Sequence, residues 1–234
     1  MKIISIVNQK GGSGKTTTVS LFAKSFCNEG KKVLIIDTDP QGGISSIYWK
    51  GEKKIGLYDI LVGDKVELGV NVFHSKVNEL IDIIPSDYRL DKIFLTIAPF
   101  SLEDCLKDFI KAYDYVLIDT PPTLQGITRA SIFFSDKIFV PCEISTQSLN
   151  PTIYALESSK ENKKTAKVIF VGWKDPEEKN GFQNNLAREF KETFKKELIG
   201  VIPKNVSTIS FSSETKKPSQ SVKENVITPI LGFV

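Results

Sequence analysis

Short apolar runs recur along the chain at 3–7, 33–36, 80–84, 115–118, 137–140, 168–171 and 199–202. Each is close to a continuous series of Ile, Val, Leu and Phe, with little polar alternation. A strand covered on one face alternates, whereas a strand covered on both faces does not. The runs therefore predict strands of a mostly parallel sheet lying between layers of helix. The segments between them, 16–28, 102–112, 127–134, 148–160 and 184–196, read as helices. In the last of these, Leu186, Phe190 and Phe194 fall on one side at 100° per residue, an apolar face for the core. Arg188, Lys191 and Lys195 fall within a narrow arc on the other side. The stretch 48–77 has weak periodicity and predicts no element. The expected fold class is α/β, one domain over residues 1–234, with a mostly parallel twisted sheet flanked by helices. Residues 206–234 form a short, polar tail rich in Ser and Lys. Its end, 228–234, is apolar but broken by Pro229 and Gly232, and is expected to pack on the core as a strand or tail.

Composition adds limits. Thirty-one Lys and Arg stand against 28 Asp and Glu. This mild excess points to no partner unless the charges cluster. Cys27, Cys105 and Cys142 are widely spaced, with no C-x-x-C pair. That argues against a disulfide framework or a thiolate metal site and fits a reducing cytoplasm. No signal peptide is expected before the first strand, and no apolar run reaches the ~18 residues of a membrane helix.

The candidate chemistry begins where the first strand ends, at Gln9-Lys10-Gly11-Gly12-Ser13-Gly14-Lys15-Thr16-Thr17. A strand, a glycine-rich turn and a helix in that order make a phosphate loop. Glycines let backbone N–H groups converge on phosphate oxygens, and the helix that follows presents its positive end. Lys15 is placed to reach β- and γ-phosphates, and Thr16 to offer a hydroxyl to Mg²⁺. The spacing departs from G-x-x-x-x-G-K-[ST] because Asn8-Gln9 stands where the leading glycine belongs. Asp37-Thr38-Asp39-Pro40-Gln41-Gly42 follows the second run, and Asp119-Thr120-Pro121-Pro122 follows the fourth. Ligands of open α/β sheets collect at the carboxyl ends of the strands, so all three motifs are expected on one rim. Asp119 is in the usual place for a carboxylate that holds Mg²⁺.

Together these residues resemble the ParA/MinD family of deviant Walker A P-loop ATPases (the SIMIBI-type P-loop NTPases). Lys10-Gly11-Gly12-Ser13-Gly14-Lys15-Thr16 is similar to its phosphate loop, with Lys10 as the signature lysine. Asp37-Thr38-Asp39-Pro40-Gln41-Gly42 is similar to its D-x-D-P-Q-G switch, and Asp119-Thr120-Pro121-Pro122 to its D-T-P-P segment. Val140-Pro141-Cys142-Glu143 and Gly200-Val201-Ile202-Pro203-Lys204-Asn205 resemble later landmarks. The resemblance implies binding of ATP and Mg²⁺ by Gly11, Gly12, Ser13, Gly14, Lys15, Thr16, Thr17 and Pro203, with Pro203 on the adenine. It implies Thr16, Asp37 and Asp119 around the metal. It implies catalysis by Lys10, Lys15 and Asp39, with Lys10 reaching a partner's nucleotide in an ATP-sandwich homodimer and Asp39 orienting the attacking water. Hydrolysis is expected to be slow, because nothing beyond positioning and charge is evident.

The branch most resembled comprises the plasmid and chromosome partition ATPases. That implies nonspecific DNA, a centromere-binding ParB-like adaptor and a nucleoid-associated cytoplasmic location. Arg188, Lys191 and Lys195 are the candidate DNA contacts, with Lys216 and Lys217 as an extension. The alternatives are a MinD-like positioning ATPase, a metal-cluster carrier and a metabolic ATPase on the same scaffold. Against them stand, respectively, a C-terminus without a basic amphipathic helix, the missing C-x-x-C, and the presence of Lys10 and the D-x-D-P-Q switch. A further C-terminal helix found in relatives and an N-terminal helix-turn-helix are not expected. His74, Trp49 and Trp173 are read as structural or exposed residues, and Glu177-Glu178-Lys179 as a solvated loop.

Overall fold

The computed structural model describes residues 1–51, 55–63, 65–173, 182–203 and 228–233. Lys204, Asn205, Lys174, Asp175, Glu177, Glu178, Lys179, Lys216 and Lys217 lie outside the described residues. Strands β1 (Lys2–Ile6), β2 (Val33–Asp37), β3 (Phe73–His74), β4 (Ile81–Ile84), β5 (Tyr115–Asp119), β6 (Lys137–Cys142), β7 (Thr165–Trp173) and β8 (Leu198–Pro203) form one sheet. Its order is β3-β4-β2-β5-β1-β6-β7-β8. Every pairing is parallel except β3 with β4, so a parallel sheet carries one antiparallel edge. The helices are α1 (Lys15–Asn28), α2 (Gly43–Tyr48), α3 (Leu57–Leu61), α4 (Ser101–Leu106), α5 (Ile127–Phe134), α6 (Leu149–Glu161), α7 (Phe182–Thr193) and α8 (Thr228–Phe233).

The unbroken apolar runs fill both faces of the sheet. Ile4, Ile6, Ile35, Leu117 and Phe139 pack with Val19, Phe22 and Phe26 of α1. Their sequence neighbours Ile3, Leu34, Ile36, Val116 and Ile118 point the other way, onto Leu57, Leu102, Leu106, Ile127 and Ala130. A third cluster joins Val140, Val168 and Phe170 to Ala155 of α6 and to Phe190 and Phe194. At ~25 cal/mol per Å² of apolar surface, this two-sided burial is what holds the sheet. Fully buried Phe190 and Phe194 and half-buried Leu186 confirm the apolar face read in 184–196.

Three expectations are corrected. The segment 102–112 is not one helix: α4 ends at Leu106 and Phe109–Ala112 is a 3₁₀ turn. The tighter turn brings Tyr113 in just after buried Ile110, and Tyr113 Oη donates to Asp82 at 2.7 Å. The stretch 48–77 is not featureless, since it holds α3 and β3. Finally, residues 228–233 do pack on the core as expected of a strand or tail, but as the short helix α8. Phe233 of α8 meets Phe139 edge-on at 5.3 Å, with Lys137 Nζ 4.3 Å from its ring centre. His74 is exposed, yet the antiparallel register sets it opposite Asp82, and its Nδ1 lies 2.6 Å from that carboxylate. Trp49 is a packing residue, stacked on Phe73 at 4.7 Å. Among the described residues no helix is long and apolar enough to cross a membrane.

Candidate functional site

Parallel pairing puts the ends of β1, β2 and β5 side by side, with Ile6 opposite Asp119 and Asp119 opposite Asp37. The loop from β1 to α1 and the two acidic motifs consequently share one rim. A cavity of about 290 Å³ opens there, lined by Gly11, Gly12, Ser13, Gly14, Lys15, Thr16, Thr17, Asp39 and Pro122. Every phosphate-loop residue from Gly11 to Thr17 named from the sequence faces this cavity, and so does the second switch aspartate.

The loop's shape follows from particular residues. Asn8 stands in the leading glycine's region and is fully buried. Its Nδ2 donates to Pro141 O of β6 at 2.8 Å, while its Oδ1 accepts from Lys10 N at 2.9 Å. The side chain thus ties the start of the loop to the next strand, a function the sequence reading missed. Gly14 caps α1 at φ 91°, and a Cβ there would lie 2.7 Å from the side chain of Val171 on β7. Any other residue would be strained in its backbone and crowded by the sheet. Around Gly11 and Gly12 a Cβ would meet nothing within 4 Å, which leaves open space beside the backbone for a bound group.

The charges are arranged around that space. Lys15 is buried, and its Nζ donates to Lys10 O at 3.2 Å. Burial lowers its pKa, opposed by the charges of Asp119 and Asp39. Asp119 is buried at the end of β5, and its Oδ2 accepts from Thr16 Oγ1 at 2.8 Å. Its other oxygen, Oδ1, is buried with no hydrogen-bond partner among the described residues, and so is Ser13 Oγ. Burial and the nearby Asp37 carboxylate push Asp119 upward. Burial also raises Asp37, opposed by the N–H and hydroxyl of Ser45, which both donate to its Oδ2. Two buried carboxylates beside the partly buried hydroxyl of Thr16, one carboxylate oxygen without a partner among the described residues, form a donor set that suits a hard divalent cation. Among the described residues no three acidic, His or Cys side chains gather into a complete metal site.

The remaining predicted residues sit farther out. Lys10 does not line the cavity. Its Nζ lies 2.9 Å from Ser148 Oγ, 3.0 Å from Ser145 Oγ and 3.4 Å from Glu143. Pro203 ends β8 on the same rim, paired with Trp173, and does not line the phosphate cavity. Arg188 and Lys191 are exposed on α7, whereas Lys195 lies beyond its end, 3.8 Å from Glu192.

Comparison with known proteins agrees with this geometry. The family described as "AAA domain" matches residues 1–168. The chain is 31% identical to the chromosome partitioning protein ParA of Caulobacter vibrioides, over 88% of this chain and 82% of that protein. It is 34% identical to the sporulation initiation inhibitor protein Soj of Bacillus subtilis, over 72% of this chain and 66% of that protein. In fold it resembles a plasmid partition protein of Borrelia burgdorferi solved with AMPPNP, with a TM-score of 0.81, 23% identity, and coverage of 100% of this chain and 99% of that one.

Proposed function

Since this chain belongs to the ParA/MinD family of P-loop ATPases, we propose that it is a DNA-partition ATPase whose grip on DNA is gated by an ATP-bound homodimer. The observation that carries the reading is that Asp39 lines the same cavity as Lys15 and Thr16. One pocket then offers both the phosphate grip and the group that acts on the attacking water.

In this reading the backbone from Gly11 to Thr17 binds the phosphates, with Lys15 against the β- and γ-oxygens. Thr16 and Asp119 hold Mg²⁺, with Asp37 beside them. When bound, the ion would neutralise phosphate charge. Pro203 packs on the adenine. Asp39 orients the attacking water through its carboxylate. Lys10 crosses to the partner's phosphates and adds positive charge as the transition state forms. To do so it exchanges its contacts with Glu143, Ser145 and Ser148 for the partner's nucleotide. Only Glu143 is an ionic contact, at 3.4 Å and half exposed, and pairs of that kind contribute at most about 1 kcal/mol.

The partition role is supported by the likeness to the chromosome partitioning protein ParA. The pairing of two subunits doubles any basic surface, here Arg188, Lys191 and Lys195, and DNA affinity rises steeply with the number of phosphates neutralised. Hydrolysis is slow, is stimulated by a centromere-binding ParB-like adaptor, and releases the dimer from the nucleoid in the cytoplasm. Analytical ultracentrifugation with ATP and Mg²⁺ against ADP and Mg²⁺ tests the gate. A shift from monomer to dimer with ATP alone is expected, and a chain that stays monomeric at saturating ATP contradicts the reading.

A further inference from the structure

We infer that Ser86 is a positioning residue for hydrolysis, acting through a closed ring of hydrogen bonds that fixes the backbone of Asp39. The inference rests on the reading of Asp39 as the residue that orients water. Ser86 follows β4, the strand paired to β2, and no sequence motif singles it out.

Four residues make the ring. Asp39 N donates to Asp37 Oδ1 at 3.1 Å. Ser45, on α2, donates to Asp37 Oδ2 through both its N–H and its hydroxyl. Ser86 N donates to Ser45 Oγ at 3.0 Å. Ser86 Oγ donates to Asp39 O and closes the circuit. The directions are consistent: Ser45 Oγ gives its proton to Asp37 and so has a lone pair for Ser86 N. Chained donors of this kind polarise and strengthen one another.

The ring holds the Asp39 peptide on both sides, by its N–H and by its carbonyl. The Asp39 carboxylate stays outside the ring, its Oδ1 accepting from Gln41 N at 3.0 Å within the loop. Asp37, Ser45 and Ser86 are buried, so water cannot replace a lost partner easily. Ser86 is itself anchored. Asp87 caps the next turn through Arg89 N at 2.8 Å, and Arg89 binds Asp59 of α3 at 2.7 Å. Meanwhile Leu57 N donates to Pro85 O at 2.9 Å. The β4 end is therefore a fixed post against which the switch sequence is set. A residue that touches only backbone at Asp39 has no part in gripping phosphate, so its loss separates catalysis from binding.

The test is single-turnover ATP hydrolysis, with ADP affinity and melting temperature measured on the same samples. Ser86→Ala is expected to lower the rate by about tenfold, as a small misplacement of a catalytic group does, with ADP affinity within about twofold of the parent on the same argument. Ser86→Thr keeps the hydroxyl and is expected to recover most of the rate. Asp39→Ala/Ser86→Ala is expected to be no slower than Asp39→Ala. A Ser86→Ala rate equal to the parent's overturns the inference, as does a parallel fall in rate, affinity and melting temperature. If instead Asp39→Ala itself hydrolyses ATP normally, the reading of Asp39 fails first, and the two failures are distinct.

Discussion

Lys15 and Asp39 line one cavity, and their loss is expected to have different consequences. Lys15 is the buried cation of the phosphate loop. Lys15→Ala removes the charge proposed to grip the β- and γ-phosphates and is expected to abolish ATP binding, read with a fluorescent ATP analogue. Tight binding by that variant would refute the assignment. Asp39→Ala leaves the phosphate grip intact and is expected to bind ATP, hydrolyse it poorly and accumulate as a dimer in light scattering. Lys10→Ala should weaken dimerisation while ADP binding to the single chain stays close to normal. A separate prediction concerns Cys27, whose thiol is pushed up to about 12 by burial. Burial likewise raises the hydroxyl of Tyr48. An acid raised on folding stays protonated in the native state after the unfolded state has lost its proton. Stability is therefore expected to fall as pH rises above about 9 toward 12, starting at the ordinary thiol range. Thermal melts between pH 8 and 10.5 check the direction, and Cys27→Ala should flatten the decline.

The elements that were legible in the sequence are those whose residues face two layers. Ile35 and Ile36 of β2 pack into different clusters, so neither can be polar, and the run is visible without a partner. The phosphate loop was legible because Gly14-Lys15-Thr16 carries a backbone requirement and a charge at fixed spacing. Edge strand β3 spans only Phe73–His74, and so short an element leaves no period to detect. The 3₁₀ turn at Phe109–Ala112 continues the spacing of Leu102, Leu106 and Ile110, and only Tyr113, three residues on, betrays the change. Asn8, Ser45 and Ser86 were not legible as site residues, because each acts through a bond to a distant backbone or carboxylate. On α7, the exposed Arg188 and Lys191 and the neighbouring Lys195 remain the candidate DNA contacts. Changing all three to Glu is expected to abolish DNA retention while ATP-dependent dimerisation survives. Normal DNA binding by that triple variant would leave the stripe as surface only.

For the molecule as a whole, the sheet order sets the division of labour. The central strands β2, β5 and β1 bring Asp37, Asp119 and the phosphate loop together. β6, β7 and β8 extend the sheet toward α7, Pro203 and the candidate basic stripe. In this account ATP binds at one part of the chain while the proposed DNA contacts lie at another, and dimerisation couples them. One chain offers few cations, so its affinity should be weak; two chains offer twice as many, and binding should fall steeply with salt. The most direct test is co-sedimentation with nonspecific DNA at low salt, comparing ATP–Mg²⁺ with ADP–Mg²⁺. The account predicts retention with ATP and none with ADP. An ATP-loaded chain that stays in the supernatant at low salt would contradict it.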